Sequence, residues 1–165
     1  MRWLACLLLL GLVGCAARIP EKVSAEEYEV YSAWLRQHFE KESPKVLYLA
    51  NRTIALSPYC PDTRRMRDHS LVFRLAALGE ATYALGLLGI KIPSAFTGAD
   101  AFPRSETRTF RFIQFSRVAF SYAHTRALFA VSDCCPGPGQ GGLVMIAHRE
   151  KGGWIFEPAG CNWFY

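Results

Sequence analysis

The six cysteines are the side chains best placed for covalent chemistry, and their spacing divides them into two groups. Cys6 and Cys15 stand near the start of the chain, while Cys60, Cys134, Cys135 and Cys161 lie in its body. Four thiols in an oxidising compartment allow three pairings. Adjacent α-carbons sit ~3.8 Å apart, below the ~4.4–6.8 Å usual for a disulfide, so a Cys134–Cys135 bond would be strained. Two pairings remain, each joining Cys60 to one of the adjacent pair and Cys161 to the other. In the loop-entropy model, closing about 75 residues from Cys60 is worth about 4–5 kcal/mol, and closing about 27 to Cys161 about 3–4 kcal/mol. The competing chemistry is a soft-metal or thiol-redox site on Cys134-Cys135, with His148 or His124 beside it. Metal sites usually carry Cys-x-x-Cys or His spacing, which this sequence lacks, so structural disulfides are the expectation.

Other reactive side chains are scattered. Asp68, His69 and Ser70 have the composition of a catalytic triad, yet consecutive residues on a helix point about 100° apart and cannot relay a proton among themselves. No Gly-x-Ser-x-Gly elbow occurs. His38 is expected at the edge of a helix stripe, His124 in a turn and His148 at the end of a strand. Glu80 stands in an apolar run, where burial would raise its pKa or demand a cation. Arg74 is off its face, leaving Arg111 or Arg117 as candidate partners in an ion pair orienting helix on sheet. Gly137 to Gly142 lacks the Lys-Ser/Thr of a phosphate loop. No catalytic residues, metal ligands or cofactor are predicted.

Length and charge frame these residues. A chain of 165 residues is expected to form one domain with a real core. The net charge is +5, a modest excess compatible with anionic lipid and equally with ordinary solubility. No basic run interleaved with aromatics suggests DNA or RNA as a partner.

The N-terminus carries the most specific signal. Met1-Arg2-Trp3 is a short positive region, and Leu4 to Val13 is an apolar stretch shorter than the ~20 residues that span a bilayer, so it reads as a targeting segment. It ends in Leu12-Val13-Gly14-Cys15, which resembles the bacterial lipobox. That resemblance implies cleavage before Cys15 and acylation of its thiol, which divides the chain into a lipoprotein signal peptide (1–14), a lipidated tether (15–23) and one exported domain (24–165). Two or more acyl chains on one Cys give stable anchoring. Ala16, where Asp could stand, resembles the outer-membrane sorting pattern of Gram-negative lipoproteins. The resemblance thus implies a cell-membrane or outer-membrane anchor, with the domain facing the periplasm or exterior.

The elements that position the domain follow in order. Ser24 with Glu27 three residues on forms a capping-box pattern, and Tyr28, Tyr31, Trp34, Leu35, His38 and Phe39 recur at helical spacing as a core stripe until Ser43-Pro44 ends the helix. Lys45 to Leu56 reads as a strand and His69 to about Gly89 as a buried helical region, broken near Gly79 or Gly86. Ile92 to Pro103 reads as a loop. From Phe110 to Tyr165 the pattern is an antiparallel meander. Phe110, Phe112, Val118, Phe120 and Tyr122 share one parity and Arg111 and Arg117 the other, as in a strand with one buried face. Ile113 and Phe115 violate that parity, predicting either a bulge near Gln114 and Ser116 or a sheet covered on both sides. Turns are expected at Tyr122 to Thr125, Pro136 to Gly142 and Gly152-Gly153, with the last strand from Trp154 to Glu157.

The last fifty residues also resemble a pattern at the ends of small uncharacterised bacterial secreted proteins: a strand like Phe115 to Phe120, then Ala127-Leu128, a Cys, a Gly-rich turn and a Trp strand. This supports the meander and implies no activity. The predicted fold is α+β, with an N-terminal helix and a second helical region on a twisted antiparallel sheet of about five strands, an element order resembling cystatin-like or NTF2-like architecture. The function expected is that of a membrane-anchored, disulfide-stabilised envelope lipoprotein, non-enzymatic, with a structural or partner-binding role. The alternatives are a small-ligand binder using the concave sheet face beneath the Trp34 helix and a thiol- or metal-handling protein centred on Cys134-Cys135.

Overall fold

A computed structural model describes residues 22–39, 46–55, 69–86, 90, 95–97, 110–133 and 141–164. The leader, Cys15, Cys60, Asp68, the Cys134-Cys135 pair and the Pro136 to Gln140 stretch lie outside the described residues.

The architecture is α+β. Helix α1 (Ala25–Phe39) is followed by β1 (Val46–Ala50), α2 (His69–Leu78), β2 (Ala95–Thr97), β3 (Phe110–Phe115), β4 (Ala119–Phe120), β5 (Arg126–Asp133), β6 (Gly141–Glu150) and β7 (Gly153–Phe164). The strands form one sheet in the order β2-β1-β3-β5-β6-β7, with β4 beside β5. The five strands β3 to β7 are the expected antiparallel meander. At its far side β1 runs parallel to both β2 and β3, so the sheet is mixed. A parallel neighbour needs a long crossover, and the β1–β3 connection, about sixty residues holding α2 and β2, supplies one. The Ile92 to Pro103 stretch, expected as a loop, therefore contains a short strand.

Two apolar layers sandwich the sheet. On one face α1 lays Val30, Tyr31, Trp34 and Leu35 against Ile113, Phe115, Phe129 and Ala147. On the other, Leu71 and Leu75 of α2 pack on Ala119, Leu128, Ala130 and Val144. Covered on both sides, β5 is buried from Ala127 to Ser132. That explains why Arg126–Asp133 reads as a continuous apolar run rather than an alternation.

Helix α2 is shorter than its apolar density suggests. The backbone N–H of Gly79 bonds to the carbonyls of Leu75 and Ala76 and closes the last turn. The chain then leaves the helix, so Glu80 lies exposed in the turn beyond it and not within a buried helix. Strand β7 extends well past Glu157, paired with β6 as far as Gly141 and Phe164, and among the described residues β6 is its only strand partner. An edge strand tolerates Pro158, which has no N–H to donate.

Candidate functional site

Among the described residues, the largest concentration of buried polar chemistry sits where β3 gives way to β4. Phe115 pairs with Val131 and Ala119 with Leu128, so Ser116, Arg117 and Val118 stand opposite only Phe129 and Ala130. One extra residue makes this a bulge, which reverses the side-chain parity. Ile113 and Phe115 before it, and Val118 and Phe120 after it, all meet the α1 face. Both explanations offered for the broken alternation therefore hold, the bulge and the double coverage. Ser116 stabilises the distortion: its N–H donates to the Ala130 carbonyl at 2.9 Å, and its Oγ accepts from the Ala130 N–H at 2.8 Å. The buried face predicted for Tyr122 is not found, because the chain has left β4 for the turn there and the side chain is exposed.

The bulge sends Arg117 into the core. Alternation placed this side chain on the solvent face, yet it is 1% exposed, because a strand's period of two no longer applies across an inserted residue. Its partner is Glu27 of α1, also buried, and not Glu80. Arg117 Nε donates to Glu27 Oε1 at 2.7 Å and Nη2 to Oε2 at 3.0 Å, a bidentate pair. Oε1 also accepts from the Val118 N–H at 3.0 Å and Oε2 from the Ser24 N–H at 2.7 Å. A carboxylate offers about four lone-pair sites, and here four donors occupy them.

Each element contributes locally to this arrangement. Ser24 Oγ accepts from the Glu27 N–H at 3.2 Å, completing the predicted capping box. Glu27 thus caps its own helix and clamps the sheet at once. Arg117 also donates from Nη2 to the Lys22 carbonyl at 3.2 Å and lies 4.4 Å over the Tyr83 ring. Tyr31 stacks on Phe115 with centroids 4.5 Å apart and donates its hydroxyl to the Ser116 carbonyl at 2.7 Å.

The electrostatics agree with a fixed pair. Burial pulls the Arg117 pKa down, but the hydrogen bond and attraction of Glu27 outweigh it and leave the guanidinium held above its ordinary value. Burial, reinforced by Glu27 and opposed by Arg117, pushes the Tyr31 hydroxyl well above the usual tyrosine range. With its acceptor sites filled and its solvent excluded, this cluster orients and fastens. It is poorly suited to exchanging protons with a substrate.

The other predicted residues are dispersed. His38, stacked on Trp34, pairs with Asp133 at 3.2 Å. His124 takes a positive φ of 53° in the β4–β5 turn and pairs through Nδ1 with Glu26 Oε2 at 2.6 Å. His148 pairs with Glu157 at 2.9 Å. Arg149 reaches Glu26 at 3.2 Å and lies over Trp154. These are surface pairs, two of them sharing Glu26 and the others apart from it, a kind that contributes little to stability. Arg74 donates to the Phe120 carbonyl at 2.8 Å and so ties α2 to β4. Cys161 falls in β7, near the register position where Leu143 faces Asn162.

Among the described residues, no group of three or more His, Cys, Asp and Glu comes together to hold a metal ion, and no helix is long and apolar enough to cross a membrane. Beneath Trp34 the sheet face is filled by Tyr31, Phe115 and Phe129. Glu27 escaped the sequence reading as a core residue, although a signal was present: positions 27, 31, 34, 35 and 38 form one helical stripe, which makes Glu27 a charge on the apolar face.

No family model matches the chain, and neither the curated proteins nor the solved structures contain a match. No solved structure thus stands behind the expected likeness to cystatin-like or NTF2-like architecture.

Proposed function

We propose that the chain is a bacterial lipoprotein tethered to the envelope through an acylated Cys15, with an exported, disulfide-stabilised domain that serves a structural or partner-binding role and performs no catalysis. The observation that carries this is the run Leu12-Val13-Gly14-Cys15 closing an apolar segment that follows Arg2. The lipid is then the first partner, and an envelope protein or small molecule would be met by the folded domain. The chemistry of the domain supports a non-catalytic role: its buried carboxylate and guanidinium spend their hydrogen bonds on each other and on backbone. The packed aromatic layer under α1 argues against the ligand-binding alternative at that face.

Growth with a labelled fatty acid tests the tether. The protein should carry the label and sediment with membranes. Cys15→Ser should lose the label and leave the membrane fraction. A Cys15→Ser protein that stays labelled or membrane-bound would overturn the proposal.

A further inference from the structure

Tyr122 is 93% exposed and Phe73 76%, the two most exposed large apolar side chains among the described residues, and a hydrogen bond joins the helix that carries Phe73 to the strand that leads into the Tyr122 turn. Tyr122 sits in the turn between β4 and β5. Phe73 precedes Arg74, whose guanidinium bonds the carbonyl of Phe120 two residues before Tyr122. We propose that this surface faces and inserts into the bilayer that carries the anchor, with Tyr122 and Phe73 as interfacial aromatics. The inference rests on the lipid-anchor reading.

Three observations support a membrane as the occupant. First, the chain outside the described domain is short: seven peptide steps separate Cys15 from Lys22, at most about 25 Å in any conformation, so acyl chains on Cys15 would keep the neighbourhood of Lys22 near the lipid. Second, the exit point is fixed. Arg117 bonds the Lys22 carbonyl, and the bulge that carries Arg117 leads directly into β4 and the Tyr122 turn. Glu26, at the start of α1, also grips His124 of that turn and Arg149 beside it. The tether, the turn and the end of β6 therefore meet at one place. Third, the side-chain types fit: tyrosine places an apolar ring in lipid and its hydroxyl in the headgroup layer. The charge nearby is nearly balanced, with Lys22, Arg74, Arg149 and Lys151 against Glu26, Glu29 and Glu150. Aromatic insertion, not electrostatic attraction, must then carry the contact.

The test uses the acylated full-length protein, purified from its membrane and reconstituted into vesicles of phosphatidylethanolamine and phosphatidylglycerol containing a phospholipid with a photoactivatable diazirine near its glycerol. After illumination, peptide mass spectrometry locates the lipid adducts. Adducts are expected on residues 121–125 and 69–74, persisting in about 0.5 M NaCl, where exposed charges are screened within a few ångströms. Tyr122→Ser, a fully exposed change that costs the fold little, should lower adducts in the turn severalfold. Adducts confined to residues 15–23, spread equally to His38 and Asp133, or abolished by salt would overturn the inference. The peptide spectra also report acylation. A Cys15 without acyl chains overturns the anchor reading itself, whereas an acylated Cys15 with an unlabelled turn overturns this inference alone.

Discussion

Replacing Arg117 with Met removes the cation from a buried pair and leaves Glu27, 2% exposed, with only the Val118 and Ser24 N–H groups as donors. Breaking a buried pair from one side typically costs about 3–5 kcal/mol, because the remaining charge stays desolvated. The lost bond to the Lys22 carbonyl and the contact with Tyr83 add to that. Set against a domain stability of roughly 5–15 kcal/mol, Arg117→Met should remove a large share of it. Glu27→Met should cost a similar amount, since it strands the guanidinium and the buried Val118 N–H. The double variant should cost less than the two singles together, by about 2–3 kcal/mol, because no isolated charge is left. Urea denaturation followed through the buried Trp34 and Trp154 provides the assay. A cost below about 1 kcal/mol for Arg117→Met, or strict additivity in the double variant, would refute the claim that this pair fastens α1 to the bulge.

Other outcomes follow from the same geometry. Ser116→Ala leaves the Ala130 N–H without its Oγ acceptor and should cost about 1–3 kcal/mol in the same denaturation assay. The raised pKa of Tyr31 means that its contribution is complete below the unfolded value of about 10 and falls as pH rises beyond it, while the folded hydroxyl holds its proton and the unfolded one releases it. Stability should therefore decline above about pH 10, and Tyr31→Phe should flatten that decline. Glu26→Gln, which touches the surface pairs with His124 and Arg149, should change stability by less than about 1 kcal/mol.

Much of the fold was legible because its signals are local. The capping box at Ser24 and Glu27 and the stripe through Tyr31, Trp34, Leu35 and Phe39 specify α1 and its buried face without reference to the sheet. The meander was equally readable from its turns: Tyr122 to Thr125 makes the expected turn, and Gly153, at a φ of 124°, opens β7 after the β6–β7 turn in a conformation that favours glycine. What escaped depends on partners distant in sequence. The parallel pairing of Val46–Leu49 with Phe110–Ile113 joins segments about sixty residues apart, and nothing local marks its direction. The period of two puts Arg117 on the solvent face, and one inserted residue inverts that alternation. The spacing from Ser24 makes Glu27 a cap, and its second role appears only when the bulge brings Arg117 beneath it.

Mass spectrometry of protein purified from its native membrane and alkylated without reduction tests the state of Cys15 and of the four downstream thiols most directly. The predicted result is a mature N-terminal peptide beginning at Cys15 and carrying acyl mass, with Cys60, Cys134, Cys135 and Cys161 all protected from alkylation. A peptide beginning elsewhere would contradict the anchor, and alkylated Cys134 and Cys135 would contradict the disulfide-stabilised domain and move thiol chemistry to the front.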